Sequence, residues 1–133
     1  MLQLTDDMKT NVPKIDNQHQ ELIDLINELV TVNTHLTKTL EVEKTLKFLT
    51  NYVVKHFTDE EVLQRQTYYP KYDWHRSQHQ EYIKAVNELK EDFKRSGSTP
   101  QFSLQIQQTI INWIVKHIKH ADVEFGRFLN EKK

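Results

Sequence analysis

"HFTDEEVLQRQTYYPKYDWHRSQH", residues 56–79, decides how this chain is read. His56 and Glu60 stand four apart, and so do His75 and His79. Four residues make about one helical turn, so each pair projects from a single helix face. The residues that continue those faces are apolar: Leu49 and Val53 before His56, Tyr82 and Val86 after His79. Each pair thus interrupts a stripe that should be buried, where polar groups are most expensive. Between the pairs, "YYP" (Tyr68–Pro70) breaks the helical pattern.

Working outward, the same periodicity predicts four helices. The first runs from Asp16, as N-cap, to about Leu36. The second runs from about Leu40 to Gln66, with Glu41 and Glu43 suiting the positive end of its dipole. The third has Pro70 in its first turn and reaches about Arg95. "SGSTP" is a loop in which Ser98 or Thr99 caps a fourth helix that starts at Pro100 and ends near Asp122. An N-terminal arm and a short tail around Gly126 flank them. Short connections favour antiparallel neighbours, so the expected fold is all-α: one domain, 1–133, forming an up-down-up-down four-helix bundle.

Composition narrows the function. The 133 residues suffice for one core, and only two glycines and three prolines interrupt them. A formal charge of −1 gives no electrostatic case for nucleic acid or an anionic membrane. No apolar stretch has the length to span a bilayer and no signal-peptide pattern opens the chain, so a cytoplasmic location is expected. There is no cysteine, which excludes a disulfide, an iron–sulfur cluster or a thiolate zinc site. Any metal must be held by nitrogen and oxygen.

The four expected stripes each carry a polar level. They read Ile15, His19, Leu22, Ile26, Leu29; Val42, Leu46, Leu49, Val53, His56, Glu60, Leu63; His75, His79, Tyr82, Val86, Leu89, Phe93; and Phe102, Ile106, Ile110, Trp113, His117. Antiparallel connection brings the polar levels to one end of the bundle. A lone histidine in a core is ordinary. Five imidazoles and Glu60 at one depth are not, because each uncompensated polar group costs about 1–3 kcal/mol. A metal satisfies them together. His35 lies toward the far end and is expected on the surface, and His120 is expected in solvent or beside a ligand. So many donors exceed a four-coordinate zinc site, and the carboxylates are too few for calcium. Imidazole with bridging carboxylate suits a pair of first-row ions, iron above all. The Glu-x-x-His motif of ferritin-like sites is absent.

Three blocks, "IDNQHQELIDLINEL" (15–29), "HFTDEE…YYP…H…H" (56–79) and "WIVKHIKHAD" (113–122), resemble the hemerythrin family, in particular the stand-alone bacteriohemerythrins. The resemblance implies two iron ions with an oxo or hydroxo bridge. His75, His79 and His117 would hold one iron and His19 and His56 the other, with Glu60 and Asp122 bridging. It implies reversible dioxygen binding, for storage, transport or delivery, rather than an enzyme. A di-iron oxidase or peroxidase, or an oxygen or redox sensor module, is the alternative. Leu22, Phe57, Trp113, Ile114 and Ile118 match positions that line the family's oxygen pocket. Asp122 comes from the resemblance alone, since at i+5 from His117 it is rotated by about 140° on a regular helix. The fourth helix is therefore expected to widen into a π-type turn, or end, between these residues. Leu4 and Asn11 stand where many bacterial members carry Trp and Gly, and Gln64 where many carry Met.

Overall fold

The computed structural model describes residues 2–33 and 39–131. They form an all-helical bundle with no strand among the described residues. The long rods are α1 (Pro13–Asn33), α2 (Thr39–Gln66) and α3 (Tyr72–Ser96). The fourth rod, 100–131, is composite. It comprises α4 (Pro100–Gln105), a π turn at Ile106–Ile111, α5 (Asn112–His117), a second π turn at Ile118–Asp122, and α6 (Val123–Glu131). Packing is cyclic: α1 on α2, α2 on α3, α3 on the fourth rod, and the fourth rod back on α1. The expected first-helix end near Leu36, and His35, lie outside the described residues.

The stripes fill the core nearly as the sequence lays them out, with two adjustments. Leu63 is only half-buried, and its neighbour Gln64 points inward instead. In the fourth rod the π turn at Ile106–Ile111 inserts an extra residue per turn and advances the face. Ile114 therefore takes the fully buried place, while Trp113 is half-buried.

The helix ends correct three expectations. First, α1 starts at Pro13, so Asp16 is not its N-cap. The Asp16 carboxylate instead accepts hydrogen bonds from Thr10 N and Oγ1, both at 2.8 Å, and ties the N-terminal arm to the first turn. Second, α3 starts at Tyr72, two residues after Pro70. Third, the chain does not trail off after Asp122. It continues as α6, whose Phe125 is fully buried beside Ile15 and Tyr69. Gly126 lies inside α6, because a Cβ there would stand 2.5 Å from Thr10 O, where the arm crosses the helix. Asn11 turns that arm with a left-handed φ of 61°, which asparagine tolerates in place of glycine. Leu4 packs half-buried against the core. At the other loop the expectation holds, with Thr99 capping α4 by accepting from Phe102 N at 3.0 Å.

Candidate metal centre

At one end of the bundle the core turns polar. His19 comes from α1, His56 and Glu60 from α2, His75 and His79 from α3, His117 from α5 and Asp122 from the second π turn. All seven are buried. Their donor atoms fall into two overlapping groups: His75, His79, His117, Glu60 and Asp122, and His19, His56, Glu60 and Asp122. Within each group the atoms lie within 4.8 Å of one another.

The two carboxylates belong to both groups because each divides its oxygens between them. Glu60 Oε1 lies 2.8 Å from His75 Nε2 and 3.3 Å from His79 Nε2, while its Oε2 faces His56 Nε2 at 3.6 Å. Asp122 Oδ1 lies 2.8 Å from His75 Nε2 and 3.0 Å from His117 Nε2, while its Oδ2 is 2.8 Å from His19 Nε2. Each carboxylate thus offers one oxygen to each histidine group. The π turn makes it possible, since widening the helix over Ile118–Asp122 brings Asp122 onto the face of His117.

On four of the five rings the opposite nitrogen meets a side chain from a different helix. His56 Nδ1 is 2.7 Å from Gln18 Oε1, His79 Nδ1 is 2.8 Å from Glu61 Oε2, and His117 Nδ1 is 2.8 Å from Gln78 Oε1. An oxygen at Nδ1 keeps the proton there and leaves the Nε2 lone pair pointing inward. The Gln64 side chain reaches His75 Nδ1 with its Nε2 at 2.8 Å. Turning that amide over presents Oε1 instead and gives His75 the same tautomer. So α1 anchors the histidine of α2, α2 anchors those of α3, and α3 anchors that of α5. The circuit does not close, for His19 Nδ1 has no hydrogen-bond partner.

Buried atoms left without a hydrogen bond test whether a cation fits. They include Nε2 of His19, His56 and His79, both Glu60 oxygens and Asp122 Oδ2, all facing the same interior. So many aligned lone pairs in a dry core are an uncompensated cost unless a cation shares them. Protons compete for the same places. Burial and the Asp122 carboxylate push the Glu60 carboxyl up, but His75 and His79 outweigh them and hold it at about 2. Burial opposes the charge on His75, yet Asp122 and Glu60 raise it to about 10. Burial lowers His56 to about 4. An all-nitrogen-and-oxygen set of this composition fits first-row divalent and trivalent ions.

Comparison with known proteins agrees with the geometry. The family model of the hemerythrin HHE cation binding domain matches residues 10–129. The chain belongs to the hemerythrin family. It is 26% identical over 121 residues to a bacteriohemerythrin of Methylococcus capsulatus, covering 91% of this chain and 90% of that one. A bacteriohemerythrin of Campylobacter jejuni is 28% identical over 120 residues, covering 89% and 87%. One from Stenotrophomonas maltophilia is 26% identical over 121 residues, covering 91% and 76%. As a hemerythrin-family domain, the chain has an iron-binding fold and a His/Glu/Asp cluster able to hold a metal.

The remaining residues singled out in the sequence separate into two sets. Leu22, Phe57, Ile114 and Ile118 are fully buried in the main core cluster, and Phe57 contacts the rings of His56, His79 and His117. Trp113 stacks on the outer side of His117 at 4.6 Å and on Tyr82 at 4.4 Å. It lines a surface cleft of about 410 Å³ with Trp74, Gln78 and the exposed His120. The Nδ1 partners Gln18, Glu61 and Gln78 were missed by sequence reading, although a signal for the two glutamines was present. The string QHQE occurs twice, at 18–21 and 78–81, and each copy sets an anchor glutamine beside a histidine of the cluster. No described helix is long and apolar enough to cross a membrane.

Proposed function

We propose that this protein binds dioxygen reversibly at a pair of irons, with His75, His79 and His117 on one, His19 and His56 on the other, and Glu60 and Asp122 bridging. The observation that carries the reading is the split of each carboxylate between the two histidine groups. When bound, the iron pair supplies two electrons that dioxygen can take up and return. The His19–His56 group has one imidazole fewer than its neighbour, so that side keeps room for an outside ligand. The Nδ1 acceptors Gln18, Glu61 and Gln78 hold their rings in the binding tautomer. Leu22, Phe57, Ile114 and Ile118 would keep water and protons out of the space beside the ions. A dry wall favours release of dioxygen over its loss as a reduced product, since each charged product would need solvation there.

The carrier reading is preferred to an oxidase on a specific ground. An oxidase needs a proton donor in the pocket beyond the metal ligands. Gln64 is engaged with His75, and His120 is exposed at the outer cleft. Storage or delivery in the cytoplasm, where iron is readily kept reduced, suits such a carrier. The test is stopped-flow mixing of the reduced, iron-loaded protein with oxygen, followed by vacuum. Two irons per chain and an oxygenated spectrum that reverts under vacuum are expected. Oxidation within seconds, with turnover of peroxide by a reductant, would replace the carrier with an oxidase.

A further inference from the structure

One anchor of the ring circuit differs in kind from the others. Gln18, Gln64 and Gln78 meet their histidines with neutral amides, whereas Glu61 meets His79 with a carboxylate. We propose that Glu61 is a positioning residue whose charge lowers the reduction potential of the iron pair through His79. This inference rests on the iron reading of the centre.

The geometry leaves the contact little freedom. The Phe57 ring lies flat on His79, with centroids 3.8 Å apart and planes 4° from parallel, so the imidazole cannot swivel. Its Nδ1 is thereby aimed at Glu61 Oε2, 2.8 Å away. The Glu61 side chain is only 17% exposed, and water screens the contact weakly. A carboxylate acceptor draws the Nδ1 proton toward itself and makes the imidazole a stronger donor at Nε2. A stronger donor favours Fe(III) over Fe(II), and each iron gives up one electron in passing between them. Arg76 Nε lies 3.7 Å from the other Glu61 oxygen and tempers that charge from a half-exposed position.

The experiment is an anaerobic redox titration of the iron-loaded full chain against mediator dyes, with iron counted in every sample. Glu61→Gln keeps an oxygen at His79 Nδ1 and removes only the charge. A tenfold shift toward the reduced state is expected, about 59 mV upward per one-electron step. Arg76→Gln frees the carboxylate of its counter-charge and is expected to move the potential downward, by less. An unmoved potential in fully loaded Glu61→Gln would show that the contact only orients the ring. An Arg76→Gln shift that is absent or upward would overturn the proposal even if Glu61→Gln failed to fold. A wild type that takes up no iron would sink the reading of the centre, and this inference with it. A wild type that loads, with an unshifted Glu61→Gln, sinks this inference alone.

Discussion

The two halves of the centre share both carboxylates but are held differently. In the half built from His75, His79 and His117, every ring has a side-chain partner behind it: Gln64, Glu61 and Gln78. Phe57 and Trp113 also stack on two of these rings, His79 and His117. In the other half, His56 has Gln18, while His19 has no Nδ1 partner. A donor locked from behind loses little entropy when a cation arrives, and one that is free on its far side can shift to follow it. One half is therefore built to stay the same, and the other to accommodate change. A carrier that takes an external ligand at one ion needs both.

The largest expected effect comes from removing a ring on each side. His79→Ala strips the rigid half of a donor and leaves Glu61 and Phe57 facing a hole. It is expected to bind no iron and to lose about 1–3 kcal/mol of stability, the penalty of stranding buried polar partners. His19→Ala is expected to keep about one iron per chain in the three-histidine half and to form no oxygenated state. Iron analysis after dialysis against a mild chelator, with thermal melts alongside, reads both. If His19→Ala loses both irons, the halves are not separable and the comparison breaks.

A second test addresses the apolar wall proposed for the oxygen pocket. Ile118 is fully buried and follows His117 directly. Ile118→Glu brings an ionisable group to the apolar wall, as a competing ligand or a proton donor. The reduced variant is expected to oxidise on meeting oxygen without a lasting oxygenated spectrum, while the wild type reverts under vacuum. A side chain that merely packs would give a lower melting temperature with unchanged oxygen spectra.

The same contrast explains what could be read from the sequence. His19, His56, Glu60, His75, His79 and His117 were legible because each replaces a hydrophobe in a periodic stripe. Asp122 was not legible from spacing, since its place depends on a π turn that breaks the period. The resemblance to hemerythrins supplied it, and the need to reach the centre correctly implied the turn. The other π turn, at Ile106–Ile111, had no buried polar residue to betray it, and it moved the inward place from Trp113 to Ile114. The anchors were hidden for a further reason. Gln18, Glu61 and Gln78 adjoin residues of the cluster in sequence but serve histidines on other helices, a relation that only packing creates. The helix after Asp122 was missed because Gly126 reads as a terminator, when it is there to admit Thr10.

The smallest expected effect sharpens the comparison most. Gln64 is fully buried and touches His75, the ring that lies against both carboxylates. Methionine has nearly the same length and volume, so Gln64→Met changes hydrogen bonding without opening a cavity. The substitution removes a buried amide with one end unpartnered, which is favourable, and leaves His75 Nδ1 without a partner, which is not. These terms are of similar size, so the folding stability of the metal-free protein should move by no more than about 1 kcal/mol. Metal retention should respond more, because the ring loses the acceptor that fixes its tautomer. Losses of this kind are about 10-fold at the low end of the known range, and the low end is expected here because Glu60 and Asp122 still orient His75. Competition with a chelator at fixed pH measures it directly. A variant that loaded and held iron as the wild type does would show that the carboxylates alone position this ring, and that rigidity in the three-histidine half rests on Glu61 and Gln78.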